Sequence, residues 1–154
     1  MSERSVGIFV ATVTGTAELC AEEIEIVLTE AGLAVECRLM DDLTADSVVA
    51  HEFIVIISST YGQGDIPDTG QALYDALSGI ESLEGRRFAV FGLGDRTYAA
   101  TFCNAGQKWD ALFSAKGASR FSPLMQHDAS AGTLAEDVAG AWASELVIQL
   151  KEVV

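Results

Sequence analysis

The sequence predicts an α/β protein in which helices cover both faces of a parallel β-sheet. Strand-like and helix-like segments alternate along the whole chain, and the connections between them are short. One segment, Phe53 to Ser58, is rich in β-branched residues and shows no polar alternation, which is typical of a strand buried on both faces. We therefore expect right-handed crossover connections between neighbouring parallel strands.

Apolar runs bounded by turn residues predict five strands. Their expected bounds are Val6 to Ala11, Ala34 to Met40, Phe53 to Ser58, Arg87 to Leu93 and Arg120 to Met125. The fifth is the weakest of the set. Its Pro123 favours an edge position, because proline has no N–H to donate to a strand ladder.

Apolar residues at helical spacing predict helices between the strands. These helices are expected over Thr16 to Ala31, Thr69 to Leu77, Asn104 to Ala115 and Leu134 to Leu150, whereas Asp41 to Ala50 is a loop or a short helix. Trp109 and Trp142 lie on apolar helical faces, so we expect both to pack in the core.

Size and charge narrow the classes of function. The chain has 154 residues, which favours a single domain over residues 1–154. Its net charge of −14 argues against nucleic acid and anionic membranes as partners. The same charge favours a basic protein partner reached by electrostatic steering, although an acidic surface that only keeps the protein soluble explains it equally well.

We expect the chain to work in the cytoplasm. Its three cysteines, Cys20, Cys37 and Cys103, are odd in number and match no zinc spacing, so they are interpreted as small buried thiols in a reducing compartment. Met1 to Ser5 contains no hydrophobic signal-peptide region. The longest dense apolar run, Phe53 to Ile57, is too short to span a bilayer.

Three turn segments follow strands one, three and four, and parallel strands place their carboxyl ends at one edge of the sheet. The first segment, Thr12 to Ala17, opens a predicted helix, where unpaired amides and the positive dipole end favour an anion. Three threonine hydroxyls add donors. The segment has no Lys or Arg, so it differs from the nucleotide-triphosphate loop and suits a phosphate monoester. The alternative is a helix that the threonines merely cap.

The second and third segments combine an aromatic ring with glycines. In the second, Tyr61 precedes Gly62-Gln63-Gly64, and a rigid Pro67-Asp68 exit follows. In the third, Gly92 to Tyr98 supplies another ring at the matching end of strand four. The two tyrosines could stack on opposite faces of a planar ligand. Either segment alone could be an ordinary surface turn, but with the first they predict a phosphorylated, planar cofactor.

These residues resemble the flavodoxin family, small FMN-binding electron carriers. The run from Val55 to Asp68 is very similar to the central loop of MioC-type short-chain flavodoxins, and Thr14 to Glu18 resembles the FMN domains of diflavin reductases. The resemblance covers nearly the whole chain. It implies a flavodoxin-like three-layer sandwich, a five-stranded parallel sheet in the order 2-1-3-4-5, and FMN held without a covalent bond.

The resemblance also implies a role for each segment. The FMN phosphate would be bound by Thr12, Val13, Thr14, Gly15, Thr16 and Ala17. One side of the flavin would be flanked by Ser59, Thr60, Tyr61, Gly62, Gln63 and Gly64. The other side would be flanked by Gly94, Asp95 and Tyr98, with Phe102 and Cys103 behind them. His127-Asp128 resembles a segment near the flavin edge.

Two positions depart from the family pattern. Many flavodoxins end the phosphate loop with threonine, where this chain has Ala17. The stretch from Tyr98 to Cys103 is also one residue longer than the usual spacing.

The implied function is low-potential electron transfer from a flavin reductase, such as an NADPH-dependent flavodoxin reductase, to acceptor enzymes, with no substrate of the chain's own. Four acidic residues would disfavour adding negative charge to the flavin: Asp65, Asp68, Asp95 and Asp128.

Two other functions stay open. The first is an FMN-dependent NAD(P)H or quinone oxidoreductase on the same fold, although the sequence shows no second phosphate site or basic cluster for a nicotinamide cofactor. The second is a receiver domain, which needs an acidic pair after strand one and a phosphorylatable aspartate after strand three. Ala11-Thr12 and Ser58-Ser59 occupy those places and argue against it.

Overall fold

A computed structural model describes residues 5–12, 15–60, 64–95 and 103–152. Its strand segments are β1 (Ser5–Ala11), β2 (Ala34–Leu39), β3 (Phe53–Ser58), β4 (Arg87–Gly94), β5 (Ser119–Arg120) and β6 (Met125–Asp128). They form one sheet in the order β2-β1-β3-β4-β5, with β6 also paired to β4. Every pairing is parallel. The predicted order 2-1-3-4-5 is therefore confirmed.

The fifth strand position is filled by two short segments, so the predicted single strand from Arg120 to Met125 is wrong. β5 pairs with the start of β4, and β6 pairs with its end. Pro123 lies in the gap between them, where its missing N–H costs no ladder bond. The proline thus interrupts the edge strand near its middle.

The helices are α1 (Thr16–Glu30), α2 (Ala45–Val49), α3 (Asp68–Ser78), α4 (Asn104–Ala115) and α5 (Ala135–Glu152), with single 3₁₀ turns at Met40–Asp42 and Ala129–Ala131. The four predicted helices are present, with ends within two residues of the expected bounds. The segment from Asp41 to Ala50 contains most of one 3₁₀ turn and then the short α2. Among the described residues, no helix combines the length and apolar character needed to cross a bilayer.

Alternate residues of the strands face two separate cores. Val6, Ile8 and Val10 of β1 pack with the apolar faces of α1 and α5. Phe9 and Ala11 point the other way, into the core with α3 and α4. Each central strand is therefore buried on both faces, which explains its continuous apolar sequence.

The two tryptophans are buried as predicted, one in each core. Trp142 of α5 belongs to the first core, and Trp109 of α4 belongs to the second. The predicted covering of both sheet faces by helices is confirmed.

His51 links neighbouring elements at the amino-terminal edge of the sheet. Its Nδ1 lies 3.0 Å from Ser5 Oγ, and its Nε2 lies 2.9 Å from Glu36 Oε1. The imidazole also packs against Phe9, with ring centroids 5.8 Å apart. It approaches Gly7 so closely that a Cβ there would come within 2.7 Å of the imidazole and 2.6 Å of the Phe9 ring. One ring therefore joins β1, β2 and the turn before β3.

The described cysteines are all free thiols. Cys20 and Cys103 are buried, as expected, and Cys37 is half-buried. Burial raises the pKa of Cys20 to about 12, with a further contribution from Glu136. Burial also raises the pKa of Cys37 to about 12, helped by Glu25, Glu22 and Glu18.

Replacing Gly7 with alanine should destabilise the protein by about 1–3 kcal/mol, because the new methyl group overlaps two packed rings. Gly140→Ala is the matched control: Gly140 lies inside α5, and its Cβ would meet nothing within 4 Å. That change should stabilise the helix by about 0.5–1 kcal/mol. Urea unfolding measures both. Equal stabilities for the two variants would contradict the packing around His51.

Cys20 and Cys37 should resist alkylation in the folded protein. With a pKa near 12, roughly one thiol in ten thousand is ionised at about pH 8, and only the thiolate reacts. Mass spectrometry after iodoacetamide treatment should find both unlabelled, and both should be labelled after unfolding in guanidinium. Labelling at the same rate in folded and unfolded protein would show that this account of their burial is wrong.

Candidate functional site

The strand register brings the three predicted segments to one edge of the sheet. Ala11, the last residue of β1, is paired with Ser58, the last residue of β3, and Ser58 is paired with Gly92 of β4. Neighbouring strands lie about 4.8 Å apart, so the chain leaves β1, β3 and β4 within about 10 Å across the sheet. The described ends of all three segments therefore form one candidate site.

The first loop turns into α1 through Gly15. Gly15 has φ 95° and forms the N-cap of α1, a left-handed conformation that glycine adopts without strain. Its amide donates to Thr12 Oγ1 at 2.9 Å, so this N–H is already used. The first helical bond runs from the Leu19 amide to the Gly15 carbonyl.

The amides of the first turn of α1 can receive an anion. Those of Thr16, Ala17 and Glu18 precede the first helical bond, and no cap hydrogen bond from a described side chain reaches them. Thr16 is exposed. Ala17 is fully buried against the core with α5, so position 17 can contribute only its amide. An anion at this point would accept from backbone N–H groups at the positive end of the helix.

Two residues of the second loop are held by neighbouring elements. The Ser59 amide donates to the Ala11 carbonyl at 2.9 Å, which continues the β1–β3 pairing beyond the strands. The Thr60 hydroxyl bonds to the backbone of Leu93 and Ala105. Of these two residues, Ser59 therefore keeps its hydroxyl for a ligand, whereas Thr60 does not.

The far end of the second loop rests on α4. Gly64 is buried with φ 94°, and a Cβ there would lie 2.7 Å from Asn104 Nδ2. Asp65 is exposed, and its Oδ1 lies 3.7 Å from Lys108 Nζ. These contacts set the position at which the loop returns to the protein.

The third loop begins at Gly94, which is closely covered by Cys103. A Cβ on Gly94 would lie 2.6 Å from the Cys103 amide nitrogen, so only glycine fits. Cys103 is itself fully buried with φ 52°, and its Sγ lies 3.5 Å from the Gly92 carbonyl oxygen and 3.7 Å from that of His127, which share its single proton. The Cys103 thiol therefore points into the protein, and Cys103 packs against Gly94, where the third loop begins.

Seven predicted site residues lie outside the described residues: Val13, Thr14, Tyr61, Gly62, Gln63, Tyr98 and Phe102. Their roles stay predictions. In the described part of the chain, no cluster of three or more His, Cys, Asp or Glu side chains could hold a metal ion.

The acidic residues near this edge differ in their surroundings. Asp68 is exposed at the start of α3, and Asp95 is half-buried just after β4. Asp128 accepts from the amide and hydroxyl of Ser130 at 2.9 and 2.7 Å, so it caps the following 3₁₀ turn.

His127, which precedes Asp128 in β6, is buried. It is only 7% exposed, and its Nε2 lies 3.1 Å from Thr133 Oγ1. His127 thus faces the interior.

Sequence reasoning missed two supporting side chains. The Thr69 hydroxyl donates to the Thr12 carbonyl at 3.4 Å and links the start of α3 to the first loop. Asn104 packs against Gly64, as described above. Both contacts join residues at least 40 positions apart, and no local pattern in the sequence signals them.

The family model for flavodoxins matches residues 8–142, from β1 into α5. The chain belongs to the flavodoxin family. This flavodoxin is 31% identical over 141 residues to Flavodoxin YqcA of Escherichia coli (strain K12), covering 91% of this chain and 94% of that protein. It is also 31% identical over 150 residues to the sulfite reductase [NADPH] flavoprotein alpha-component of Neisseria meningitidis serogroup C / serotype 2a (strain ATCC 700532 / DSM 15464 / FAM18), covering 96% of this chain but 24% of that protein.

Solved structures agree with this membership. A mutant of a flavodoxin from Pseudomonas aeruginosa superposes with a TM-score of 0.84 at 32% identity, covering 96% of this flavodoxin and 99% of that chain. A Fusobacterium nucleatum flavodoxin bound to flavin mononucleotide has a TM-score of 0.78 at 19% identity, covering 92% and 96%, and so shares the fold. The predicted family and fold are confirmed.

Gly94→Ala should lower stability by about 1–3 kcal/mol, because the new methyl group meets backbone that cannot move aside. The control is Gly79→Ala: Gly79 ends α3 with φ −88°, and its Cβ would lie 3.6 Å from the nearest atom. The control should change stability by less than about 0.5 kcal/mol. Denaturant unfolding compares the two. A Gly94 variant as stable as wild type would contradict the close approach of Cys103.

Proposed function

We propose that this flavodoxin is a single FMN-binding domain over residues 1–154 that carries electrons at low potential. It would accept them from an NADPH-dependent flavodoxin reductase in the cytoplasm and pass them to an acceptor enzyme. The observation that carries the proposal is the meeting of three features at one sheet edge: the open amides of α1 and the two loops that leave β3 and β4.

The residues present fit the phosphate of FMN. The amides of Thr16, Ala17 and Glu18 can donate to it, and the Thr12 hydroxyl stands next to them through its bond with Gly15. These donors are neutral, which suits one phosphate monoester better than a longer phosphate chain. Thr14 would add a further hydroxyl.

The two neighbouring loops fit a flat ring system. They leave adjacent strands, and the residues proposed to cover the two ring faces, Tyr61 and Tyr98, come three and four residues after those strand ends in the sequence. Bound FMN would supply the redox chemistry, while the protein binds it, orients it and sets its surroundings.

Acidic side chains would set the potential low. A carboxylate about 10 Å away at water-like dielectric disfavours one added negative charge by about 0.4 kcal/mol. The candidates are Asp65, Asp68, Asp95 and Asp128, which all follow strands or open elements near this edge of the sheet. Their combined effect would favour giving up electrons.

The negative charge of α1 is complementary to a basic surface on a partner protein. This helix starts at the proposed phosphate site and carries five glutamates with no lysine or arginine. Two basic side chains of the described chain are engaged elsewhere: Arg120 donates to Asp110 at 2.6 Å, and Lys116 donates to the Ile80 carbonyl at 2.7 Å. Electrostatic steering would bring a basic reductase or acceptor to this face.

The first experiment separates a carrier from an enzyme. Purified protein should be yellow or take up FMN, and alone it should not turn over NADPH. Steady NADPH oxidation without a reductase would favour the oxidoreductase instead, and a colourless protein that cannot bind FMN would remove the proposal.

Thr16→Glu tests the phosphate site. A carboxylate at the first position of α1 suits the helix dipole but repels a bound phosphate, so FMN should bind about tenfold more weakly while riboflavin is unaffected. Thr29→Glu is the control, because it adds the same charge about 20 Å away on the same helix. Flavin fluorescence titrations measure both. Equal weakening of FMN and riboflavin would mean that the phosphate binds elsewhere.

A further inference from the structure

Thr60 joins the second loop to the third. Its Oγ1 donates to the Leu93 carbonyl at 3.0 Å and accepts from the Ala105 amide at 3.4 Å. Leu93 is the next-to-last residue of β4, and Ala105 is the second residue of α4. One hydroxyl thus connects the residue two beyond β3, the end of β4 and the start of α4.

These bonds leave Thr60 unable to donate to a ligand. A hydroxyl carries a single proton, and this one is given to the Leu93 carbonyl. A direct hydrogen bond from Thr60 to the phosphate or to a flavin carbonyl would break the link to β4. The resemblance places Thr60 in the loop beside the flavin, and within that loop its hydroxyl is used to bind the neighbouring backbone.

Both partners of Thr60 are buried. Leu93 is 7% exposed and Ala105 is fully buried. The Ala105 amide lies in the first turn of α4, where helical partners are missing, and the N-cap residue Cys103 makes no side-chain cap bond. Thr60 thus supplies from a distant element the cap that α4 lacks. Loss of the hydroxyl would remove a hydrogen bond from two buried groups.

We propose that Thr60 is a positioning residue: its hydroxyl sets the separation of the two loops that flank the flavin, and through it the flavin's affinity and reduction potential. The inference rests on the proposed function. Because Thr60 lies at the start of the second loop and Leu93 directly precedes the third, a shift of one relative to the other changes the space for the ring. The phosphate site at α1 is not part of this link.

Two variants separate the hydroxyl from the shape of the side chain. Thr60→Val keeps the branching and removes the hydroxyl, whereas Thr60→Ser keeps the hydroxyl. Ser82→Ala is the matched control at the opposite edge of the sheet, where Ser82 Oγ likewise donates to a carbonyl, that of Lys116 at 3.4 Å, and accepts from an amide, that of Glu84 at 3.0 Å. Circular dichroism and thermal unfolding of each apoprotein establish that it folds.

Binding of FMN and riboflavin by each apoprotein is then measured by fluorescence, and the reduction potential of each FMN complex by spectroscopic titration. Thr60→Val should weaken both ligands by the same factor, about tenfold, because both contain the ring, and should shift the potential. Thr60→Ser should stay within about twofold of wild type for both ligands, and Ser82→Ala should match wild type.

Three results would overturn the inference. In the first, Thr60→Val binds both ligands and keeps its reduction potential as wild type does, and only its unfolding temperature falls. That result would mean that Thr60 has a purely structural role. In the second, Thr60→Val binds FMN more weakly but riboflavin as wild type does, which would mean that Thr60 contacts the phosphate. If Thr60→Val does not fold, Thr60→Ser decides: a folded serine variant that loses tenfold affinity contradicts the role of the hydroxyl. Wild-type protein that binds no FMN would instead overturn the proposed function itself.

Discussion

The register of the parallel sheet is the constraint on which the candidate site depends. Ala11, Ser58 and Gly92 lie in line across β1, β3 and β4, so three loops that are far apart in sequence begin side by side. Parallel strands impose this because each crossover returns the chain to the same starting edge. At the opposite edge, the His51 contacts join β1, β2 and the turn before β3. The position of the loops is thus a consequence of sheet packing.

Within the site, several glycines and threonine hydroxyls have structural roles, whereas their sequence pattern indicates ligand binding. Gly15 provides the backbone turn that opens α1, whereas Gly64 and Gly94 make room for Asn104 and Cys103. The Thr69 hydroxyl links the start of α3 to the first loop, and the Thr60 hydroxyl links the second loop to β4. Several residues of a ligand-binding pattern therefore shape the loops, which fits a site that must keep its form while electrons enter and leave.

Most elements of the fold are predictable from the sequence because the signals for them are local. Alternating apolar runs gave the helices and four of the strands, and the resemblance gave their order. The prediction of a single fifth strand is wrong because Pro123, which favours an edge position, also divides the strand into two segments. The candidate site was predictable as three loops at one edge. Its internal contacts were not, because bonds such as Thr60 to Leu93 join residues 33 positions apart and depend on tertiary packing.

In the proposed site, the first turn of α1 would hold a phosphate whose attached ring would lie between the loops after β3 and β4. The most direct test is amide NMR of ¹⁵N-labelled apoprotein titrated with FMN and, separately, with riboflavin. The amides of Thr16, Ala17 and Glu18 should shift strongly with FMN and little with riboflavin, while amides following β3 and β4 should shift with both. Shifts of the α1 amides that are equal for the two ligands, or the largest shifts at the opposite edge around His51, would contradict the proposed site.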